Sequence, residues 1–284
     1  MWKSREIARA GAAIIATLVV AAILRLVLPA FDYFPPEKLV RNFERSWFVA
    51  SGVRRAAMFG YTMVALVLMA VFFDIIQRRW PGRGSIKGLA FGTFLGIVWS
   101  IGFLSGWAFL ETTLRAELLN GILDLLILAI GGWLIGLAIG RDVPRPERRH
   151  WRPWLGVLLV ALGFVVVHTS GSRFLASLFP SAADLLLVPM TLTQIAVLLG
   201  LGLWAGAMFI ALRAGLPFNN GVAQAAFFGF GVFGHSWTWF HIFFVIEFAG
   251  VLYAVVLVGL IGATGVFAGA LAYEALARRR RYSG

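Results

Sequence analysis

The chain has 284 residues, of which 60% are hydrophobic and only 13% are charged, and its mean hydropathy is +0.86. Soluble globular domains carry about 25% charged residues, so this composition excludes a soluble globular protein. The net charge of +12 comes from basic residues in short segments between apolar runs, a pattern typical of membrane topology signals rather than of nucleic-acid binding. Because the chain has no cysteine, disulfides and thiolate metal sites are excluded.

The apolar runs are long enough to cross a bilayer as helices, which needs about 20 residues each. They lack the period-two alternation of a membrane barrel, so the fold class is all-α. In chain order, the sequence predicts eight spans, at 10–31, 57–77, 88–110, 118–140, 152–168, 185–212, 221–243 and 248–273. The first is interpreted as a retained span, since no convincing signal-peptide cleavage site follows it.

Basic residues fix the orientation of these spans. Segments on the N-terminal side of the membrane hold 17 of the 25 lysines and arginines, so both termini are predicted to be cytoplasmic. The localisation expected is a bacterial-type inner membrane, with multiple passes. After the first span, a Pro-Pro pair precedes 37–47, which is predicted to form a short helix on the membrane surface.

The two halves of the sequence resemble each other. Five glycines recur after 133 positions, pairing 82, 88, 96, 132 and 136 with 215, 221, 229, 265 and 269. This pattern predicts a four-helix repeat at 1–140, a charged cytoplasmic linker at 141–152 and a second four-helix repeat at 153–284, within one membrane domain. Since each repeat holds four spans, the predicted pseudo-twofold axis runs along the membrane normal.

Glycines also recur every four residues within spans. Such stripes occur at 88, 92 and 96, at 132, 136 and 140, and at 265 and 269. Small residues at this spacing let helix backbones approach closely. The sequence predicts tight packing within the chain, with a homo-oligomer interface as the alternative.

Two charged residues fall within spans at matching depth. Arg25 lies about two-thirds of the way along the first span, and Asp124 lies about a third of the way into the fourth. Unpaired charges are costly in a bilayer, so the sequence predicts an Arg25–Asp124 ion pair in the outer leaflet. In the alternative, Arg25 extends to the headgroups and Asp124 reaches interfacial water.

Candidate binding residues cluster in the second half. His168 is predicted at the outer end of the fifth span, and Pro189 in the first turns of the sixth, where it would kink the helix. The seventh span carries most of the others, with Glu247 beyond it: His235, Trp237, Trp239, His241 and Glu247. These side chains form either a binding site or an interfacial aromatic belt. On a regular helix, His235 and His241 are 240° apart and cannot ligate one metal, so no metal site is predicted.

Three functions remain open on the sequence alone. The first is a transporter-like protein with a solute or lipid site between the repeats, towards the outer leaflet. The alternative is a non-enzymatic subunit or assembly factor of a larger membrane complex, binding haem, a pigment or a quinone through the outer-leaflet histidines. The third is an enzyme acting on lipid-linked substrates through His235, His241 and Glu247, although no nucleotide, hydrolase or metalloprotease motif is present. The expected partners are the lipid bilayer, other membrane subunits or a second copy of the chain, and not nucleic acid.

Overall fold

The computed structural model describes residues 4–27, 43–144, 152–180, 183, 185–189 and 191–282. Within these ranges the protein is all-helical, which confirms the predicted class. The helices are α1 (Ser4–Val27), α2 (Trp47–Ala50), α3 (Arg54–Gln77), α4 (Gly84–Leu110), α5 (Leu114–Ile139), α6 (Pro153–Leu178), α7 (Leu192–Leu212), α8 (Gly221–Ala226), α9 (Gly234–Glu247) and α10 (Leu252–Tyr282). Seven of them are long and apolar enough to cross a membrane, as expected of a multi-pass integral membrane protein.

The predicted seventh span is helical throughout but not regular. Between α8 and α9, a π-helical segment covers Phe227–Phe233, so that the helix runs without a break from Gly221 to Glu247. Taken separately, the π-helical segment and the two α-helical segments beside it are each shorter than a span. The eighth crossing therefore stays a prediction.

Two predicted boundaries in the second half are wrong. Helix α6 continues to Leu178, ten residues beyond the predicted end, and α7 begins only at Leu192. The apolar run Leu185–Leu187 was assigned to the sixth span because of its hydropathy, but it lies in a loop buried inside the protein. Irregular backbone is tolerated at such a site because protein, rather than lipid, surrounds it.

The predicted kink at Pro189 is also wrong, since this residue precedes α7. Its carbonyl accepts a hydrogen bond from Arg173 Nη2 at 3.2 Å. Helix α7 starts instead with a capping box, in which the Thr191 side chain and the Gln194 side chain each bond the other residue's backbone. The loop is thus tied to the end of α6 before α7 begins.

The surface helix predicted at 37–47 is not present in the described residues 43–46. Residues 37–42 lie outside the described residues, 43–46 are not helical, and α2 begins only at Trp47. The segment pairs instead with the end of α9: Ser46 N donates to the Glu247 carbonyl at 3.0 Å, and Ala249 N donates to the Glu44 carbonyl at 2.9 Å. The chain after α1 therefore caps α9.

The most extensive helix contact joins α4 to α5 through facing glycines. A methyl group at Gly88 or Gly132 would overlap a backbone carbonyl of the other helix, and one at Gly136 would lie 2.7 Å from the Gly84 carbonyl oxygen. Since only backbone lies opposite, no side chain can move aside. The glycine stripes of this pair therefore serve packing within the chain, as predicted.

Some of the glycines that match between the halves do not have equivalent neighbours. Gly132 faces Gly88 and Gly92 on α4, whereas its counterpart Gly265 faces Gly163 and Phe164 on α6. The same glycine register is thus used against different helices. The 133-residue spacing alone does not define structurally equivalent positions.

Helix neighbours follow the same order in both halves. In the first, α5 packs on α4 and on α1, and α1 packs on α3; in the second, α10 packs on α8 and α9 and on α6, and α6 packs on α7. Between the halves, α4 contacts α7 and α9, and α9 also contacts α3. Trp204 Nε1 donates to the Phe94 carbonyl at 3.0 Å across the α4–α7 contact.

Candidate functional site

An aromatic cleft lies where α3 and α4 meet α9. We define it by Tyr61, Trp99, His235, Ser236 and Trp239. The rings of Tyr61 and Trp239 stack at 5.6 Å with an interplanar angle of 7°, and Trp99 lies 5.8 Å from Tyr61. The cleft therefore presents flat apolar faces from both halves of the chain.

Hydrogen bonds hold these rings in fixed orientations. Trp99 Nε1 donates to Ser236 Oγ at 3.1 Å, and Trp239 Nε1 donates to the Tyr61 carbonyl at 3.3 Å. Both bonds cross between the halves, so the two indole donors are satisfied at the interface. Buried indoles usually have such partners, because an unpaired N–H is costly away from water.

His235 stacks within this cleft and is the titratable group of the seventh span that faces α3. Its ring lies 5.2 Å from Phe72 and 6.2 Å from Trp239. Beside it is a cavity of about 20 Å³, which also meets Ser236 and Trp99. This volume accommodates about one water molecule.

A second cavity of similar size extends the cleft to Arg25 and Asp124. It shares Ala65, Trp99 and Leu128 with the first, so the two are adjacent. Arg25 Nη2 lies 2.7 Å from Asp124 Oδ1, which is the pairing expected from the sequence. The Arg25 side chain is 43% exposed, while that of Asp124 is 11% exposed. The pair thus joins the cleft to the surface of the bundle.

His241 faces a different cavity, which we call the Glu117 chamber. It is lined by Ser105, Gly106, Glu117, Leu187 and His241, together with Gly102, Phe103, Leu110 and three phenylalanines of α9. The separation of six positions along the helix turns the two histidines to different sides, as the sequence predicts. His235 and His241 therefore do not share a site.

Glu247 belongs to neither cavity. Its carboxylate accepts a hydrogen bond from Arg54 Nε at 2.6 Å, and its backbone carbonyl accepts one from Ser46. The first contact joins the end of α9 to the first residue of α3, and the second joins it to the residue that precedes α2, so this glutamate fastens α9 to two other parts of the chain. The structure does not bring it together with His235 and His241.

His168 and Trp237 lie deep in the second half. The His168 ring is fully buried and stacks on Phe164 at 5.2 Å, and Trp237 is fully buried against Gly262. No hydrogen bond of normal geometry reaches either His168 nitrogen or Trp237 Nε1, and the same is true of Ser172 Oγ, one turn after His168. His168 lies ten residues before the end of α6, and so not at the predicted outer end of a span.

Replacing His168 with leucine tests whether its ring is only part of the core. A buried polar group without a hydrogen bond of normal geometry costs about 1–3 kcal/mol, so we expect His168→Leu to raise the free energy of unfolding by about 1 kcal/mol. Denaturant unfolding in detergent micelles measures this, with His235→Leu as the partly buried comparison. A loss of more than about 2 kcal/mol would mean that the imidazole has a bonding partner in the membrane-embedded protein.

No group of three or more histidine, aspartate or glutamate side chains in the described ranges has the arrangement of a metal site. Comparison with protein-family models, with curated proteins and with solved structures finds no match.

Sequence reasoning missed several residues of these sites. Tyr61 and Trp99 are single aromatics in apolar spans, and nothing in their local pattern distinguishes them from core residues. Glu117 sits three residues into α5, where a glutamate ordinarily stabilises a helix N-terminus. An available signal is Gly106 on α4, which leaves space for the Glu117 carboxyl group.

Proposed function

We propose that this integral membrane protein binds an amphipathic, lipid-soluble molecule in the aromatic cleft between its halves, and moves it in a transporter-like manner towards the outer leaflet. The observation that carries the proposal is the combination at one interface of stacked aromatic faces with a polar end. Tyr61, Trp99 and Trp239 suit an apolar body. Arg25, Asp124 and His235 offer hydrogen bonds to a head group.

The shape of known ligand sites supports this choice. Such sites are mostly apolar with a few convergent polar groups, and in membrane transporters they lie between structural repeats. Here the cleft lies between α3 and α4 of one half and α9 of the other. Since its two cavities hold about one water each, binding of a larger molecule requires α3 to move away from α9.

The order of helix contacts supports the two-repeat architecture on which the proposal depends. A twofold axis that relates the first four spans to the last four would map α4 onto α9 and α3 onto α7. It would therefore convert the α4–α7 contact into the α9–α3 contact and place the α4–α9 contact on the axis. All three contacts are present, and the contacts within each half follow the same order. These contacts support the proposed repeat better than the matched glycines do.

Movement of a fluorescent phospholipid across vesicle membranes tests the proposal. We expect proteoliposomes containing the protein to expose an NBD-labelled phosphatidylglycerol to external dithionite faster than protein-free vesicles do. Trp239→Ala and Asp124→Asn are expected to reduce the protein-dependent rate at least threefold, because they remove a stacking face and an ion-pair partner. Trp133→Ala is the matched control, since this tryptophan of α5 is 44% exposed and outside the cleft.

Equal rates for the wild type and both cleft variants would contradict the proposal, as would a wild-type rate equal to that of empty vesicles. The alternative, a subunit that holds haem, a pigment or a quinone, is supported by the stacking of His235 between Phe72 and Trp239. A visible absorption band in gently purified protein that disappears in His235→Leu would favour this alternative over lipid movement.

A further inference from the structure

Glu117 is a buried carboxyl group without a cationic partner in the described part of the chain. The residue is 4% exposed, and none of the ion pairs found there includes it. Its Oε1 atom lies so close to α4 that a methyl group at Gly106 would be 2.8 Å away. The absence of a side chain at Gly106 thus gives this carboxyl group its place at the wall of the chamber.

His241, which lines the same chamber, has a defined tautomer in its neutral form. Its Nδ1 atom lies 2.8 Å from the Trp237 carbonyl oxygen. A carbonyl can only accept a hydrogen bond, so in the neutral ring Nδ1 carries the proton and Nε2 keeps the lone pair. His241 is therefore prepared to receive a proton at Nε2, while its orientation is maintained by its own helix.

One wall of the chamber has an irregular backbone. Leu187, from the loop between α6 and α7, lines the chamber with a left-handed φ of 52° and is 2% exposed. Non-glycine residues in this region cost about 1–3 kcal/mol and are retained where the surroundings determine them. The chamber itself has a volume of about 20 Å³, enough for one water molecule.

We propose that Glu117 and His241 form a proton-exchanging pair that communicates through one water molecule in the Glu117 chamber. The carboxyl group gives its proton to the water, and the water gives one of its own protons to Nε2. This leaves a carboxylate, an imidazolium and an unchanged water molecule, and the reverse steps restore the neutral pair. The site is separate from the aromatic cleft and does not depend on ligand binding there.

The titratable groups around the pair are few. His168 of α6 lies near enough to His241 to interact with it electrostatically. Tyr61 of α3 donates to the Phe240 carbonyl on the preceding residue of α9, and Glu247 is paired with Arg54. In the outer half of α5, the only charged groups besides Glu117 are Arg115, which is exposed, and Asp124, which is paired with Arg25. The outer half of α4 and the described loop residues 185–189 have no charged group. Among these groups, Glu117 is the unpaired acid that shares a cavity with His241.

Titration of the His241 ring by nitrogen NMR tests the pair in the full-length protein in nanodiscs. With four histidines in the chain, the His241 signal is assigned by its loss in His241→Asn. We expect the wild-type ring to be protonated at Nδ1 when neutral, and to titrate as the pH is lowered. In Glu117→Gln, the midpoint of this titration should fall by about one pH unit or more, because an opposite charge nearby favours imidazolium.

Two further variants separate the pair from a general effect on folding. Gly106→Ala keeps every charge but displaces the Glu117 carboxyl group and fills part of the chamber, so the midpoint should move in the same direction as in Glu117→Gln. Gly200→Ala is its control, since no atom lies within 4 Å of the added methyl group. Glu111→Gln removes an acid close by in sequence that does not line the chamber and should leave the midpoint unchanged.

A wild-type His241 signal that does not respond to pH while the protein remains folded would overturn the proposal. It would also be overturned by the same midpoint in the wild type and in Glu117→Gln. A shift of equal size in Glu111→Gln would assign the effect to overall charge and so contradict it.

Discussion

Gly132→Ala is expected to destabilise the protein by about 3 kcal/mol or more, the upper range for overpacking of a well-packed interior. The added methyl group would overlap the Gly88 carbonyl oxygen and lie 2.8 Å from the Gly92 Cα atom. Since these are backbone atoms of a long helix, relief requires α4 and α5 to separate along their length. The effect should be visible as a lower midpoint in unfolding by sodium dodecyl sulfate.

The control for this variant is Gly200→Ala, on α7. Its methyl group meets no atom within 4 Å, so the change should be neutral or should stabilise the helix by about 0.5–1 kcal/mol. Equal stability of Gly132→Ala and the wild type would show that the two helices do not approach each other as closely as the backbone contact requires.

Glu274→Gln is expected to cost about 3–5 kcal/mol, the range for removal of one partner of a buried ion pair. Glu274 of α10 accepts two hydrogen bonds from Arg213 at the end of α7, one of them at 3.0 Å. The side chains are 5% and 14% exposed, and the guanidinium also lies 5.3 Å from the centre of the Tyr273 ring. The substitution would leave a largely buried guanidinium without its counter-charge.

A matched pair of variants distinguishes burial from charge. In the Glu6–Arg141 pair the side chains are 27% and 51% exposed, so Glu6→Gln should change the free energy of unfolding by only about 0–1 kcal/mol. The double variant Arg213→Met with Glu274→Leu should recover most of the stability, because no unpaired charge remains. Thermal unfolding in the same detergent measures all three; a Glu274→Gln effect no larger than that of Glu6→Gln would contradict the prediction.

Composition and periodicity were sufficient for the helical class and for most span positions, because lipid imposes a simple rule on backbone hydrogen bonding. Hydropathy misidentifies a span where apolar residues are buried by protein rather than by lipid. Leu185–Leu187 have the hydropathy of a span but lie in a buried loop, where Leu187 lines the Glu117 chamber. Similarly, the fifth span is predicted to end at 168, although α6 continues for another ten residues.

The candidate site was only partly accessible to sequence reasoning. Helical spacing correctly separates His235 from His241, since angle along one helix is a local property. It cannot indicate which helix each one meets. Glu117 was therefore not connected with His241, and Glu247, which is closer in sequence, was grouped with the histidines although its partner is Arg54.

The π-helical segment Phe227–Phe233 determines which way every later side chain of α9 points. At its end, Gly234 N donates to the Gly229 carbonyl, five residues back, instead of to the fourth. A change of one residue in the length of this segment would rotate all of α9 by about 100° about its axis. His235 would then leave the aromatic cleft and His241 the Glu117 chamber, both at once, so the widened turn is a single point on which the orientation of both sites depends.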